Sequence, residues 1–444
     1  MSLCLTASDF GFRLGRRGSI LLGDLLVMIG GAIQASSYSV AQIIVARVIV
    51  GLGIGIISAT VPTYMSETTI EKTERGPQVA VQAIYLINGV ALAYWIDFGM
   101  TRLDSQASWR FPISLQSFFT LLSFIGMLCL PDTPRWYYSR GRIEEGDRVL
   151  ARLHAEPIDS EDVQQQRREI LDTLALENEE GQIRFADWFW DRSELQSARR
   201  IRTSFIILSL QQFMGINMLV YFSTIILAQV GLSTFLQGLI AAVTNTIFAM
   251  GTWVTPFLIE RWGRRALMFW TCAGCTVAMA MFIAMNGLNH KTKATEWTAI
   301  AFVISFQFLM GLGWMACPWL YGPEIAPLRY RHLGGAAGAS GQWACTFITV
   351  FGGGTAVQRV GYGIWFWQLI SCIITCLFVW FWCPETAGKS LEEIDRVFIE
   401  EAKTWPGYKD PHMRKDREEL GTPRQVIGEK EKDAHVLHNE NTSG

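Results

Sequence analysis

The polar residues that stand out most in this sequence are three carboxamides in an otherwise apolar stretch, Gln211, Gln212 and Asn217. On an α-helix of about 3.6 residues per turn they fall within roughly two turns of one another. A carboxamide both donates and accepts hydrogen bonds, which suits a ligand with vicinal hydroxyl groups. The alternative is that these side chains join neighbouring helices, because polar groups in an apolar setting need a partner or a cavity.

One arginine, Arg47, also lies inside a long apolar stretch. A buried arginine needs an anionic partner, so such a residue is a candidate functional group by default. Three glycines follow it closely, Gly51, Gly53 and Gly55. They could suggest phosphate binding, but they follow no strand, and close packing between helices explains them better.

The elements that must position these residues are long apolar runs. Half of the 444 residues are hydrophobic and 18% are charged, whereas soluble domains carry about 25% charge. Spanning a bilayer takes about 20 mostly apolar residues. Ten runs reach that length, and most are apolar all round, whereas a helix of a soluble bundle keeps a polar stripe. They cover about 19–37, 41–63, 78–98, 110–130, 204–228, 235–258, 266–288, 298–322, 334–357 and 363–383.

The ten runs divide into a group of four and a group of six, which predicts an all-α polytopic membrane protein with two helical bundles. A polar stretch between the groups is expected to form short amphipathic helices, and the composition of the polar tail predicts disorder. The predicted parts are an N-terminal segment 1–18, an incomplete N-terminal bundle 19–131, a linker 132–203, a C-terminal six-helix bundle 204–383 and a tail 384–444.

Basic residues are concentrated in alternate loops, which predicts the orientation. By the positive-inside rule these loops are cytoplasmic, so we expect both termini in the cytoplasm and the chain in the plasma membrane. The net charge of −2 gives no reason to expect nucleic acid, and we expect a monomer surrounded by the lipid bilayer. The basic residues on the cytoplasmic side include Arg13, Arg16, Arg17, Lys72, Arg75, Arg261, Arg264, Arg265, Arg329 and Arg331.

The two groups of runs share an internal repeat. Duplicated halves are typical of transporter folds, with the substrate site near the midplane between them. Two runs precede the Gly-Arg-Arg loop in the second group and none do in the first, so the repeat predicts two further N-terminal helices that this sequence lacks. The repeated elements are Leu14-Gly15-Arg16-Arg17 with Trp262-Gly263-Arg264-Arg265, and Gly51, Gly53, Gly55, Pro62, Tyr64 and Glu67 with Gly311, Gly313, Pro318, Tyr321 and Glu324.

The sequence resembles the sugar porters of the major facilitator superfamily from about residue 13 to residue 400, and the run 93–99 suggests the fungal members. Each motif is weak by itself, but together they stand in the family's order. The motifs are Arg47-x3-Gly-x-Gly-x-Gly, Pro62-x-Tyr64-x-Ser66-Glu67, Arg75-Gly76, Trp109-Arg110-x-Pro112-x3-Gln116, Pro131-Asp132-Thr133-Pro134-Arg135-Trp136, Gln211-Gln212-x2-Gly215-x-Asn217, Glu260-Arg261-x-Gly263-Arg264-Arg265, Pro318-Trp319, Glu324-Ile-x-Pro327-x-Arg329-x-Arg331 and Pro384-Glu385-Thr386-x-Gly388-x-Ser390.

The resemblance implies the major facilitator fold, with six plus six helices in the family, and transport of a sugar or polyol by alternating access, as a proton symporter or a uniporter. It also assigns a substrate site, in which Trp319 packs on the sugar ring and Tyr221 is a candidate gate. An interfacial position is the alternative for Trp319, and core packing for Tyr221. The implied substrate-binding residues are Gln82, Gln211, Gln212, Asn217, Tyr221, Asn245, Trp319, Gln342 and Trp343.

The resemblance further implies that charged residues on the cytoplasmic side form ion pairs between the two halves and close the inner gate. Positive-inside topology explains the arginines equally well, but not the two glutamates at equivalent places in the repeat. The implied gating residues are Arg16, Arg17, Glu67, Arg75, Glu260, Arg261, Arg264, Arg265, Glu324 and Arg331.

The sequence departs from the family pattern in several places. Phe12 stands where the first loop motif begins with Asp, Gln342 replaces an Asn, and Gln82 lies seven residues before Gly89 rather than six. The family's first helix carries the acid that pairs with the arginine matched by Arg47, to which we assign proton coupling. Without that acid we expect impaired transport and a lipid-facing groove. Asp24 and Asp97 are candidates for partial compensation, although a polar residue at a helix end explains Asp97 more plainly.

Other function classes remain open or are disfavoured. A non-transporting sugar sensor of the same fold and a truncated inactive transporter are the alternatives, but sensors usually carry longer tails. An enzyme is not expected, because the sequence shows no catalytic triad, metal cluster or nucleotide-binding loop, and no cofactor is expected. Cys272 and Cys275 form a CxxC, which fits small residues on a membrane helix better than redox or zinc chemistry.

Overall fold

The structure, a computed structural model, describes residues 2–69, 75–179, 196–229, 232–288, 292–326, 331–360 and 363–389, together with residues 394 and 398. Nearly all of them belong to one compact unit, 1–191 and 197–391; a second unit, 192–196 and 392–444, lies almost wholly outside the described residues. Every regular element in the described part of the chain is helical, as the sequence predicts.

The N-terminal half consists of four long helices that match the first four predicted runs. Helix α1 changes direction at Gly15, whose φ of 82° lies in the left-handed region that glycine adopts most easily. Helix α2 begins at Val40 with Ser39 as its N-cap, whose side chain accepts a hydrogen bond from the backbone amide of Gln42. The helices are α1 Ser2–Ala35, α2 Val40–Thr68, α3 Arg75–Met100 and α4 Ala107–Cys129.

Three helices lie in the part of the linker described up to residue 179, α5 Pro134–Ser139, α6 Ile143–His154 and α7 Glu161–Glu179. A buried polar contact ties them together, because the hydroxyl of Tyr138 donates to Asp147 at 2.7 Å and Arg167 lies 3.2 Å from the same carboxylate. Burial, together with the hydrogen bond to Asp147, raises the pKa of Tyr138 well above its usual range. Beyond residue 389 the tail lies outside the described residues except for 394 and 398, and so does its predicted disorder.

The C-terminal half is built from the remaining helices, some of which are interrupted within one predicted run. The fifth run divides into three short helices, and the eighth contains a π-helical turn, Met310–Trp314. The helices are α8 Ser197–Phe213, α9 Ile216–Tyr221, α10 Ser223–Gln229, α11 Thr234–Trp262, α12 Arg264–Asn286, α13 Lys293–Leu309, α14 Cys317–Ile325, α15 Arg331–Val360 and α16 Ile364–Trp382.

Nine segments of the described chain are long and apolar enough to cross a bilayer. The remaining predicted run, 334–357, lies within α15, which is 30 residues long but rich in glycine and alanine. The small residues of α15 allow it to pack closely against α8. Gly338 and Gly341 face Ser204, Leu208 and Ser209 of α8 so closely that an added Cβ would overlap them. Small residues at such an interface let two membrane helices approach each other. The division into four plus six spans stays a prediction.

Glycines also join α1 to α2. A Cβ at Gly53 would lie 2.6 Å from the carbonyl oxygen of Gly23, and one at Gly30 would lie 2.7 Å from Val50. Gly53 therefore has the packing role expected from the sequence. Gly51 and Gly55 do not, because a Cβ at either position would have no described atom within 4 Å.

The two halves meet where α3 lies against α11. The indole of Trp95 donates to the Thr246 hydroxyl at 2.9 Å. The rings of Phe98 and Phe235 lie 5.6 Å apart, and the guanidinium of Arg102 lies 4.5 Å and 5.1 Å from their centroids. We refer to Phe98, Phe235 and Arg102 as the aromatic clamp.

Candidate functional site

The three predicted carboxamides lie on either side of a break in a helix. Helix α8 ends at Phe213, and α9 begins at Ile216 after Gly215, whose φ is 91°. On a continuous helix, residues five apart would point about 140° away from each other. The break instead allows the Asn217 amide to donate to the Gln212 side-chain oxygen.

A hydroxyl from a third helix completes this cluster. Thr346 of α15 donates to the same oxygen of Gln212 at 3.1 Å and accepts from the amide of Asn217 at 3.2 Å. Gln212 is buried, whereas Asn217 and Thr346 are partly exposed. We call Gln212, Asn217 and Thr346 the carboxamide cluster. It is a connected set of donors and acceptors on two predicted membrane spans, and its partners can exchange for the hydroxyl groups of a ligand.

Gln211 has a different role from its neighbour. Its side-chain amide donates to the carbonyl of Trp314 in the π-helical turn, and its own oxygen accepts from Gln212 at 3.3 Å. The indole of Trp314 donates in turn to the carbonyl of Met268 at 3.1 Å. Gln211 is 1% exposed, so its contacts join helices in addition to supporting the carboxamide cluster.

Two more of the predicted residues have unused polar atoms. Asn245 is fully buried on α11, where its amide donates to the carbonyl of Ala241 at 2.9 Å. Its side-chain oxygen is buried without a partner among the described residues, and so is that of the half-buried Gln342. Buried polar groups nearly always have partners, so these two oxygens are candidate acceptors for ligand hydroxyls.

The other predicted binding residues are more exposed. Trp319 and Gln82 are half-buried, while Trp343 and Tyr221 are 40% and 60% exposed. The structure therefore draws Gln211, Gln212 and Asn217 directly together, but it shows no direct bond from these four residues to the carboxamide cluster in the described part of the chain. Tyr221 is the last residue of α9, at the end of the segment beyond the break.

Arg47 is exposed on α2, and no ion pair or hydrogen bond connects it to another described residue. The candidate acid Asp24 is buried on α1, where it accepts a hydrogen bond from Ser123 of α4 at 3.0 Å, and Asp97 is exposed. Arg47 therefore has neither of them as its partner. The open positions Gly51 and Gly55 lie on the same helix as this arginine.

On the predicted cytoplasmic side the first Gly-Arg-Arg turn is held by a carboxylate that the sequence reasoning did not assign. The two oxygens of Asp132 accept from the backbone amides of Arg16 and Arg17 at 3.1 and 3.3 Å. Because a Cβ at Gly15 would overlap this carboxylate, only glycine fits there. Burial raises the pKa of Asp132, while the amides of Thr133, Arg16 and Arg17 and the nearby Arg16 charge lower it.

The second half repeats the arrangement. The oxygens of Glu385 accept from the amides of Arg264 at 2.8 Å and Arg265 at 3.0 Å, and Gly263 again leaves no room for a Cβ. We call these two arrangements the carboxylate clamps. The signal was in the sequence, because Pro131-Asp132-Thr133 and Pro384-Glu385-Thr386 have the same pattern in the two halves.

The ion pairs differ from the expectation that the resemblance gave. Arg16 lies 2.8 Å from Glu67, and Arg264 lies 3.0 Å from Glu260 and 3.1 Å from Glu324. All these pairs of described residues join groups within one half, so they stabilise each half rather than connect the two. Arg17 and Arg265 donate to carbonyls of their own halves, and Arg261 is exposed. The side chains of Arg75 and Arg331 lie outside the described residues.

Hydroxyl groups complete the symmetry of the two pairs. Thr133 donates to Glu67 at 2.6 Å, and Thr386 donates to Glu324 at 2.7 Å. Each glutamate therefore accepts from one arginine and one threonine of its own half. This explains the paired glutamates that positive-inside topology left unexplained.

The cysteines of the CxxC are buried free thiols on α12. Cys272 contacts the carbonyl of Cys372 at 3.3 Å, and Cys275 contacts that of Phe306 at 3.7 Å. Among the described residues no group of three or more His, Cys, Asp or Glu could hold a metal ion.

Comparisons with known proteins show the family to which the chain belongs. The sugar (and other) transporter family matches residues 4–398. The MFS-type transporter oryC of Aspergillus oryzae is 31% identical over 399 residues, which are 89% of this chain and 74% of that protein. The sugar transporter STL1 of Saccharomyces cerevisiae is 30% identical over 404 residues, 89% of this chain and 70% of that protein. The galactose-proton symporter of Escherichia coli is 26% identical over 399 residues, 88% and 82% of the two chains.

Solved structures show the same fold. The proton:xylose symporter XylE bound to 6-bromo-6-deoxy-D-glucose aligns with a TM-score of 0.71 and 21% identity, covering 89% of this chain and 88% of that one. The inward-open form of the xylose transporter XylE from E. coli aligns with a TM-score of 0.69 and 18% identity, covering 89% and 86%. The resemblance drawn from the motifs is thus confirmed: the chain belongs to the sugar (and other) transporter family and has the major facilitator fold.

Proposed function

We propose that this protein carries a sugar or polyol across a membrane by alternating access. The observation that carries the proposal is the carboxamide cluster, in which Gln212, Asn217 and Thr346 bring donors and acceptors together between two membrane helices. A ligand with several vicinal hydroxyl groups can replace these mutual bonds one for one. The side-chain oxygens of Asn245 and Gln342, which have no partner in the described part of the chain, offer two more acceptors.

The transport cycle requires two rigid halves that move around the site. Each carboxylate clamp fixes one Gly-Arg-Arg turn to its own half, and each glutamate pair adds a second internal connection. These contacts allow a half to move as one body. No covalent bond forms or breaks, which fits a family whose named relatives are transporters.

Proton coupling is the finer part of the proposal. Two similar proteins, the E. coli galactose-proton symporter and the proton:xylose symporter XylE, carry this activity in their names. We assign the coupling role to Arg47, as the motif implies. An acidic partner is required for this role, and neither Asp24 nor Asp97 provides it in the present arrangement.

A second candidate is a transporter with impaired activity. Arg47 is exposed, and neither its side chain nor a Cβ at Gly51 or Gly55 would contact a partner among the described residues, which favours this candidate. An unpaired charge or polar group in hydrocarbon is costly.

Uptake into proteoliposomes tests the proposal. The chain is purified, reconstituted and supplied with radiolabelled hexoses, pentoses and polyols, with and without an inward proton gradient. Saturable uptake that an unlabelled sugar inhibits supports transport, and its dependence on the gradient tests coupling. The variant that tests the assigned site is Gln212→Met, provided that it folds like the parent. Uptake by this variant equal to that of the parent would contradict the assigned site. A second chain with two N-terminal helices added to it tests impairment, because faster proton-coupled uptake by that chain would support this candidate.

The proposed location is the plasma membrane, with both termini cytoplasmic. Cysteine labelling tests the orientation at Gln165, an exposed residue of α7 in the linker. A membrane-impermeant maleimide should label Gln165→Cys only after the cells are permeabilised. Labelling from outside intact cells would reverse the proposed orientation.

A further inference from the structure

The break between α8 and α9 leaves backbone groups that a continuous helix would pair. Four carbonyls at the end of any α-helix lack a partner in the helix itself. Across this break the amides of Met214 and Gly215 donate to the carbonyls of Leu210 and Gln212, at 2.9 and 3.0 Å. In these described bonds across the break, the carbonyls of Gln211 and Phe213 accept from neither of these amides and are open to other donors.

A second glutamine lies against this break, from a helix that carries none of the predicted site residues. Gln368 of α16 packs so closely on Gly215 that a Cβ at this glycine would overlap its Cδ and Nε2 atoms. Gln368 is 4% exposed. Neither its amide nitrogen nor its oxygen has a hydrogen-bond partner among the described residues.

The position of this amide indicates a role in movement. Buried polar groups in native proteins nearly always have partners, so an amide without one here is expected to find one in another conformation. The amide packs against Gly215, whose left-handed φ is one that glycine adopts easily, so this position is a candidate hinge. Beyond this hinge α9 carries Asn217 of the carboxamide cluster and ends at the exposed Tyr221.

We propose that Gln368 is the positioning residue of a hinge at Gly215. When the segment beyond the break changes its angle, the Gln368 amide donates to the carbonyls that the break leaves without a backbone donor, and so limits the positions that Asn217 can take. The role in transport rests on the function proposed above, whereas the hinge itself does not.

The chain contains a matched residue without this contact. Gln307 of α13 is fully buried, and both polar atoms of its amide also lack partners among the described residues. It follows the fully buried Phe306 on α13, a helix that packs mainly against α11 and α12. Gln368→Met and Gln307→Met therefore make the same chemical change, but only the first removes an amide from the hinge.

Amide hydrogen exchange of the purified full chain in detergent tests the hinge without any sugar. Gln368→Met cannot form the bond that restrains the segment once its angle has changed, so the backbone amides of residues 214–219 should exchange about fivefold faster, the factor expected for one ordinary hydrogen bond. Gln307→Met should leave them unchanged. Equal exchange rates at residues 214–219 in Gln368→Met and the parent overturn the proposal. If Gln368→Met does not fold, Gln368→Asn, whose amide is one methylene too short, should give the same increase.

Uptake measured on the same proteins separates the hinge from the transport function. Gln368→Met should lower the maximal uptake rate several-fold with little change in KM, and Gln307→Met should change neither. If the parent chain transports nothing but amide exchange is faster in Gln368→Met, the proposed function is overturned and the proposed hinge is supported. Normal uptake with unchanged exchange would retain transport and overturn the hinge.

Discussion

Asp132 and Glu385 occupy equivalent positions in the two halves, and each uses both carboxylate oxygens to accept backbone amides from a Gly-Arg-Arg turn. The residue before each carboxylate is a proline whose carbonyl accepts from a tyrosine, Tyr64 in one half and Tyr321 in the other, at 3.0 and 2.9 Å. The repeat seen in the sequence is therefore a repeat of contacts. Each half has its own complete set.

Removing either carboxylate clamp should destabilise the protein. In Asp132→Ala and Glu385→Ala the backbone amides of the turn lose their acceptor, and the loss of such a helix cap costs about 0.5–2 kcal/mol. We expect a lower unfolding temperature for both variants in detergent, measured by intrinsic fluorescence. Glu144→Ala, at a glutamate whose side chain is 90% exposed, is the control and should unfold like the parent. Unchanged unfolding of both clamp variants would show that the clamps do not stabilise the halves.

The stability of the protein should also depend on pH through Asp132. Burial raises the pKa of this carboxyl above its ordinary value of 3.8. A group with a raised folded-state pKa stabilises the protein most below the unfolded-state pKa, and this contribution is lost as the pH rises through the folded-state pKa. Asp132→Asn cannot titrate. Its unfolding temperature should therefore change less than that of the parent as the pH rises from the ordinary carboxyl pKa towards neutrality; parallel curves would contradict the raised pKa.

The glutamates of the two internal ion pairs should be equivalent in function. Glu67 and Glu324 each accept from one arginine and one threonine, so Glu67→Gln and Glu324→Gln should impair transport to a similar degree, by about tenfold or more where a largely buried pair is broken. Uptake rates at equal protein amounts measure this. Glu144→Gln is the control because the side chain of that glutamate is 90% exposed and takes no part in either pair. An effect confined to one half would mean that the shared contacts do not have a shared role.

Much of this architecture could be predicted from the sequence, because the spans follow from hydropathy and the carboxamides from their spacing. The reason why Gln212 meets Asn217 could not. Five residues on a straight helix place the two side chains on different faces, and the bond between them depends on the break at Gly215. The partners of the Gly-Arg-Arg turns were also missed, since motif positions by themselves do not distinguish a contact within one half from a contact between halves.

Thr346 is the member of the carboxamide cluster that the structure adds, and its hydroxyl should contribute to ligand affinity. In Thr346→Val the oxygen of Gln212 loses a donor, so a sugar should bind less tightly by about two- to tenfold, the range for one hydrogen bond. Tryptophan fluorescence during sugar titration measures the affinity. Thr349→Val is the matched control, because the Thr349 hydroxyl donates only within its own helix, to the carbonyls of Cys345 and Thr346. Equal affinities of the two variants would remove Thr346 from the site.

The aromatic clamp between the halves should influence the balance of conformations. Arg102 lies over the rings of Phe98 from one half and Phe235 from the other, and an exposed cation–π contact is worth about 0.5–1 kcal/mol. Arg102→Gln therefore weakens a contact that holds α3 against α11 at their adjoining ends. If these ends separate when the site opens on that side, the apparent affinity for sugar added there should rise about two- to fivefold. Arg110→Gln is the matched control, since Arg110 lies over Tyr38 and Trp109 of its own half. Sugar binding from each side of right-side-out and inside-out vesicles measures the effect, and the same change in both variants would show that the clamp stabilises the fold without biasing the cycle.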